Sequence, residues 1–175
     1  QTFMISETGG CFLTKLDLYF AAKDNTLPVW VEVRNVINGY PGKKLLPFGR
    51  KVLEPSDVNV DANTGTASTT FTFDSPIYLQ EGIEYCFVTM TNSLDYKIWI
   101  ISGQPHLGSL FKSQNNRTWD AIQSQDKKFT LYKAAFTTGS STVSLQNNII
   151  GEENTNEEGE SASVYGQKLL ANPIT

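Results

Sequence analysis

The sequence is poor in the residue types that carry most catalytic and metal chemistry. It contains one histidine and two cysteines among 175 residues. These residues cannot supply a zinc site, and no serine lies in a Gly-x-Ser-x-Gly nucleophile motif. The histidine, His106, follows a proline in a segment with loop character, which favours a structural role. We therefore predict no catalytic residue, no metal site and no cofactor.

Charge is also scarce and is unevenly distributed. Charged residues make up 18% of the chain, and the net charge of −4 arises from residues 140–175, where five glutamates face one lysine. The sequence contains no basic face that would indicate nucleic-acid binding. It also contains no apolar run of the length that spans a bilayer. We predict neither nucleic-acid binding nor membrane insertion.

The two cysteines, Cys11 and Cys86, both lie in apolar segments with strand character. Two cysteines do not form the framework of a disulfide-rich domain. We interpret them as buried, reduced thiols that act as small hydrophobic side chains, although a bond between them stays open.

What the sequence does contain is a series of short strand patterns rich in aromatic residues. In the clearest pattern, Val29, Val31 and Val33 alternate with polar or large side chains that point to the other face, Trp30, Glu32 and Arg34. Clusters of Gly, Pro, Asn and Asp separate the segments, and no segment sustains a helical period. One short helical turn is consistent with LEPSDVN. The pattern predicts an all-β fold, an antiparallel β-sandwich that is jelly-roll-like, over residues 1–138.

One strand pattern, residues 83–90, differs because both of its faces are apolar. Tyr85 and Phe87 lie on one face, and Cys86, Val88 and Met90 lie on the other. We predict that one face meets the core and that a loop, the C-terminal segment or a neighbouring subunit covers the other.

Residues 139–175 have a different composition, polar and acidic without an organised apolar face. Such a segment cannot bury enough apolar surface to offset its ordering entropy. We predict an extended C-terminal arm or linker that leads to a following domain of a longer protein. A solvated spacer and an arm that docks on a partner are both consistent with it.

Several residues are candidates for binding. Trp30, Trp119, Tyr40 and Arg34 form a candidate contact surface, because exposed aromatic and arginine side chains often mark interfaces. With Trp99, these aromatic rings are also consistent with a carbohydrate-binding module. The alternation of Asp57, Asn59, Asp61 and Asn63 is consistent with calcium or with an ordinary polar connection. No two acids among Glu84, Asp95 and Asp120 are marked as a glycosidase pair.

Five motifs carry a resemblance to a known group of proteins. They are Lys23-Asp24, residues 28–34 (PVWVEVR), residues 38–41 (NGYP), residues 73–79 (FDSPIYL) and residues 108–115 (GSLFKSQN). Together they resemble a β-sandwich domain of virion structural proteins in contractile-tailed bacteriophages of the T4 type, notably baseplate wedge proteins. The resemblance covers roughly residues 1–138, whereas the glutamates at 152–160 are not part of it.

The resemblance implies a non-enzymatic module of a phage tail or baseplate protein. Its expected partners are other tail or baseplate subunits, and its expected location is the virion, assembled in the host bacterial cytoplasm. Few and unpaired cysteines agree with folding in a reducing compartment. The alternative is a carbohydrate-binding module that contacts a host-surface or other glycan.

Overall fold

Strands dominate the part of the chain that the computed structural model describes, residues 1–137. The predicted arm at 139–175 lies outside these described residues. Twelve strands and one 3₁₀ turn, Pro55–Asp57, follow one another from residue 1 to 137. The strands are β1 Thr2–Met4, β2 Cys11–Ala22, β3 Val29–Ile37, β4 Tyr40–Leu53, β5 Ser68–Leu79, β6 Glu84–Thr91, β7 Lys97–Ile98, β8 Ile100–Ser102, β9 Leu110–Lys112, β10 Asp120–Ile122, β11 Gln125–Lys127 and β12 Phe129–Lys133.

Two larger sheets enclose the core. The first has the order β1-β6-β3-β4, and the second has the order β12-β2-β5 with β7 also paired to β2. The strand pairs within both sheets are antiparallel. Two ribbons, β9–β10 and β8–β11, complete the described elements. The prediction of an all-β fold with antiparallel sheets is confirmed, while a jelly-roll connection remains a prediction.

The core lies between the two sheets and follows the alternation in the sequence. Val29, Val31 and Val33 are fully buried on one side of β3, as predicted. From the opposite sheet, Phe20 and Phe71 are also fully buried, with ring centroids 6.5 Å apart. The buried cluster further includes Phe3, Ile5, Leu13, Leu16, Leu18, Val58, Phe73, Ile77, Leu79, Tyr85 and Phe87. A period of two residues is therefore sufficient to place the inner face of a central strand.

Strand β6 is covered on both faces, as its sequence predicts. Tyr85 and Phe87 join the main core, while Cys86 and Val88 on the other face are also buried. The segment around β9 contributes to this cover, because Asn116, in the loop after β9, bonds the guanidinium of Arg34, the β3 residue that pairs with Cys86. The covering element is thus a part of the same chain.

Two hydrogen bonds and a glycine fix β9 in this place. The Thr2 amide donates to the Ser109 carbonyl at 3.0 Å, and the Ser109 amide donates to Thr2 Oγ1 at 2.8 Å. A Cβ added at Gly108 would lie only 2.1 Å from the Thr2 carbonyl oxygen. Leu110 and Phe111, which follow, are 2% and 8% exposed. The close approach therefore requires glycine at position 108.

Local irregularities match local sequence signals. The 3₁₀ turn Pro55–Asp57 confirms the helical turn predicted in LEPSDVN. Pro76 lies where the register between β2 and β5 shifts, opposite Thr14, so the missing proline N–H costs no regular ladder bond. Among residues 1–137, no buried side-chain nitrogen or oxygen lacks a hydrogen-bond partner.

The cysteines are free and lie in different sheets. Cys11 pairs with Leu79 in the second sheet, and Cys86 belongs to the first. Cys86 is buried, as predicted, whereas Cys11 is only half-buried. Burial raises the pKa of both thiols above the ordinary value.

Candidate functional site

Arg34, one of the predicted contact residues, lies on the predicted outer face of the first sheet but is buried there. Its exposure is 5%, because the loop after β9 lies over it and Asn116 Oδ1 accepts a hydrogen bond from Nη1 at 2.8 Å. Its Nε also donates to Glu32 Oε2 at 2.8 Å. The alternation of residues in β3 predicts the correct face for Arg34, but the loop that contains Asn116 covers the guanidinium there.

The other three predicted contact residues are more accessible. Trp30 is half-buried, and the Arg50 guanidinium lies 5.6 Å from its ring centroid. Tyr40 is 52% exposed, and its ring centroid lies 5.5 Å from that of Phe111. Trp119, just before β10, is half-buried. These residues therefore keep part of their surface accessible, but no ring contact within residues 1–137 joins any two of Trp30, Tyr40 and Trp119.

Trp99 is separated from Trp30 by the sandwich itself. Its amide donates to the Tyr19 carbonyl of the second sheet at 2.9 Å, and its indole N–H donates to the Asp61 carbonyl at 2.8 Å. Gly65 packs against its ring, where an added Cβ would lie 2.9 Å away. Trp99 thus holds the 61–66 loop, and it shares no sugar-binding platform with Trp30.

The Asp61 carboxylate, the centre of the possible calcium pattern, is occupied by the chain itself. Its oxygens accept hydrogen bonds from the amides of Asn63, Thr64 and Thr66 and from both threonine hydroxyls. These bonds, above all those from Thr64, hold the pKa of Asp61 well below its usual range. Asn59 Nδ2 donates to the Ser68 carbonyl. The alternation therefore builds a polar turn.

The single histidine of the chain, His106, lies against Phe129, a side chain that packs against the core. The imidazole ring of His106 lies at an angle of 49° to the ring of Phe129 with centroids 4.6 Å apart, and the His106 amide donates to Asp126 Oδ2 at 3.3 Å. Asp126 is fully buried and accepts a second bond from Gln1 Nε2 at 2.7 Å. Within residues 1–137, no group of three or more His, Cys, Asp and Glu side chains is placed to hold a metal ion. No described helix is long and apolar enough to cross a membrane.

A cleft lies between the edge strands β1 and β12. Its volume is about 400 Å³, and its lining is mainly apolar, with Phe3, Leu13 and Leu131 at the core side and Glu7 and Lys133 at the mouth. Lys133 Nζ and Glu7 Oε1 form an ion pair of 3.1 Å across this mouth. The cleft offers few polar groups to orient a small ligand.

An exposed aromatic cluster lies on the outer face of the second sheet. Phe12 is 38%, Tyr78 51% and Phe136 70% exposed. The ring centroid of Phe12 lies 5.2 Å from that of Tyr78 and 5.4 Å from that of Phe136. We name these three residues the aromatic cluster. Such a contiguous apolar patch on a soluble domain typically marks a contact surface.

A second exposed feature is a bulge in β4, which sequence reasoning missed. Glu32 pairs with Arg50 and Arg34 pairs with Leu45, so residues 46–49 stand opposite Val33 alone. We name residues 46–49 the β4 bulge. Its Leu46 packs against the core, whereas Phe48 is 62% exposed. Pro47 and Gly49 were the only sequence signals for an interrupted strand.

Basic residues flank the β4 bulge on both sides. They are Lys43, Lys44, Arg50 and Lys51, which we name the basic rim. The ends of the bulge, Leu45 and Arg50, pair with residues only two apart on β3, which corresponds to about 7 Å along a strand. The looped-out bulge therefore brings the two basic pairs together around an apolar tip.

Only part of the basic rim is neutralised. Lys51 pairs with Asp74 at 2.6 Å, and Arg50 Nε lies 3.9 Å from Glu32 Oε1. Lys43 and Lys44 are exposed, and neither forms an ion pair with any residue in the range 1–137. The rim consequently keeps a local positive charge in a domain that is close to neutral as a whole.

Comparisons of the chain with models of protein families, with curated proteins and with solved structures find no match.

Proposed function

We propose that the chain is a non-enzymatic structural module of a bacteriophage tail or baseplate protein, which acts through contacts with other tail or baseplate subunits in the virion. The observation that carries this proposal is the aromatic cluster on the outer face of the second sheet, Phe12, Tyr78 and Phe136. Exposed clustered rings without converging polar groups suit a protein contact better than a small-molecule site. The five motifs that resemble T4-type virion proteins indicate tail or baseplate subunits as the partners in this contact.

Hydrogen bonds within the chain occupy the carboxylates of Asp24 and Asp61, and this supports a role without catalysis. Asp24 accepts hydrogen bonds from Ser93 Oγ and from the amides of Leu27 and Thr26, which hold its pKa well below the usual range. A carboxyl group with such a low pKa is a poor general acid at neutral pH. Hydrogen bonds, above all from Thr64, lower the pKa of Asp61 in the same way.

The alternative of a carbohydrate-binding module has less support. Trp30 lies on the first sheet and Trp99 is attached to the second, which disfavours a shared stacking platform for one sugar chain. A glycan array with the full chain tests this alternative. Binding that is abolished by Trp30→Ala or Trp119→Ala would favour it over the structural role.

The test of the structural role uses particles of the tailed phage that encodes the chain. Antibodies raised against the recombinant chain are applied to purified particles and viewed by negative-stain electron microscopy, with peptide mass spectrometry of the same particles. We expect label on the tail or baseplate and peptides in constant ratio to other tail proteins. Absence of the chain from purified particles would refute the proposal.

The aromatic cluster is tested in the same system. Phages that carry Phe12→Ser with Tyr78→Ser should yield fewer complete tails, because the contact loses two apolar anchors. The matched control is Leu94→Ser with Leu107→Ser, which removes two exposed apolar side chains outside the cluster. Equal tail yields for the two double variants would show that the cluster is not a contact.

A further inference from the structure

The tip of the β4 bulge carries a backbone conformation that its side chain disfavours. Phe48 has a φ of 59°, in the left-handed region. Glycine and asparagine adopt this region readily, whereas a bulky side chain there is an outlier. A glycine follows directly at position 49, so the chain places phenylalanine at the strained position even though it uses glycine beside it.

Packing within the domain does not compensate this strain. Phe48 is 62% exposed. Leu46, by contrast, packs against the core and anchors the bulge. Gly49 lets the bulge close over β3, because an added Cβ would lie 2.8 Å from the Leu46 carbonyl and 2.9 Å from the Val33 carbonyl. The bulge is therefore a firmly held support that presents a ring to the outside, an arrangement typical of binding sites.

The surroundings of the ring define the chemistry of the partner. Lys43 and Lys44 lie on one side of the bulge without an ion pair in the described part of the chain, and Arg50 lies on the other. Leu45, at the foot of the bulge, is 40% exposed. A complementary surface combines carboxylates with an apolar recess for the ring.

We propose that the β4 bulge and its basic rim form a docking surface for an acidic segment of a protein partner, one in which carboxylates flank apolar side chains. Phe48 is the apolar anchor, and the rim lysines and Arg50 contact the carboxylates. This inference rests on the proposed function, because it names one partner-binding surface of the same module.

An acidic protein segment fits better than an anionic membrane. One aromatic ring and two rim lysines without an ion pair among residues 1–137 give only marginal attachment to a bilayer, which normally needs a larger apolar face or a second anchor. The binding free energy of a preformed bulge is most favourable when the partner offers a preformed recess, since little conformational entropy is then lost on binding. Binding to vesicles is therefore the competing outcome of the test.

The experiment measures binding of a labelled acidic peptide to the full chain by fluorescence anisotropy. The probe is a fluorescein-labelled peptide of the sequence EELIEELIEE, and its matched control replaces every glutamate by glutamine. We expect the acidic peptide to bind about tenfold more tightly than the control, with an affinity that falls as NaCl rises from about 50 mM to about 500 mM.

Three variants of the chain locate the site. Lys43→Glu with Lys44→Glu should weaken binding of the acidic peptide about tenfold. The same variant should bind tightly to a peptide in which lysine replaces every glutamate. Phe48→Asn should weaken binding about fivefold while the urea midpoint stays equal or rises, because asparagine tolerates a positive φ. The control, Lys97→Glu with Lys112→Glu, changes two exposed lysines on other strands and should leave binding unchanged.

The outcomes separate the inference from its rivals. Equal affinity of the acidic and control peptides, or unchanged binding by the variants at positions 43, 44 and 48, would overturn it. Binding to phosphatidylcholine vesicles with about one-third phosphatidylserine but not to the peptide would assign the surface to a membrane instead. If the chain is found in virions while these variants bind normally, only the inference fails. If the chain is absent from virions while the peptide binds, only the proposed function fails.

Discussion

The close approach of Gly108 to Thr2 leads to a prediction about the cover over β6. Gly108→Ala would place a methyl group 2.1 Å from a backbone carbonyl oxygen. Since neither backbone can yield by a side-chain rotation, the segment that contains β9 must move outward. We expect the substitution to detach this cover and to leave the two large sheets in place.

The magnitude follows from what the displacement removes. Two hydrogen bonds between Thr2 and Ser109 are lost, at about 1 kcal/mol each. Partial exposure of Leu110 adds about 1 to 2 kcal/mol, since full exposure of such a side chain costs up to about 3 kcal/mol. Gly108→Ala should therefore lower the free energy of unfolding by about 3 to 4 kcal/mol through these losses, in addition to the strain of alanine at the positive φ of this position.

Gly82→Ala is the matched control. Gly82 also has a positive φ, 72°, but an added Cβ meets no atom within 4 Å. Its replacement adds only backbone strain, about 1 kcal/mol. The difference between the two variants thus isolates the steric contact of position 108 from the cost of alanine at positive φ.

Urea unfolding followed by tryptophan fluorescence gives the two free energies, and hydrogen exchange shows where protection is lost. Faster exchange in Gly108→Ala should be confined to the amides of Thr2 and Ser109 and to the strands β9 and β10. Equal destabilisation of the two variants, or loss of protection throughout β2 and β5, would refute this account of the cover.

Three further predictions concern Arg34, the two thiols and Lys127. Arg34→Met should lower the free energy of unfolding by about 2 to 4 kcal/mol in urea titrations, because it removes the guanidinium that donates to the half-buried Glu32 carboxylate; no loss would show that the pair contributes nothing. A thiol reagent at pH 8 should modify Cys11 slowly and Cys86 only after unfolding, since burial raises both pKa values. Burial lowers the pKa of Lys127 to about 8, so the folded state binds fewer protons than the unfolded state up to the ordinary lysine pKa near 10.5. The stability of the parent relative to Lys127→Met should therefore rise by about 2 kcal/mol between pH 8 and pH 10, and a constant difference would contradict this.

The sequence was sufficient where a short-range pattern alone decides the structure. The alternation of Val29, Val31 and Val33 placed the inner face of β3, because a strand exposes successive side chains to opposite faces. The apolar character of both faces of residues 83–90 likewise indicated a strand covered on two sides. In both cases the information lies in the order of neighbouring residues.

The rest depends on contacts that neighbouring residues do not encode. Arg34 was assigned to the correct face, yet its burial depends on Asn116, which lies far along the chain. The β4 bulge exists only relative to Val33 on the partner strand, so the order of residues within β4 alone does not reveal it. The aromatic cluster escaped notice for the same reason, because Phe12, Tyr78 and Phe136 meet only through the fold.

The pairing of the two ends of the described domain has a consequence for the time at which the chain can fold. Gln1 Nε2 donates to Asp126, and β2 finds its edge partner only in β12. On a ribosome, β2 can pair with β5 well before Asp126 and then β12 have emerged. Such non-local pairing typically gives folding in milliseconds to seconds and leaves intermediates with open strand edges. The nascent domain therefore completes its sandwich only when its last strand leaves the exit tunnel. Until then its open strand edges are available for binding by chaperones.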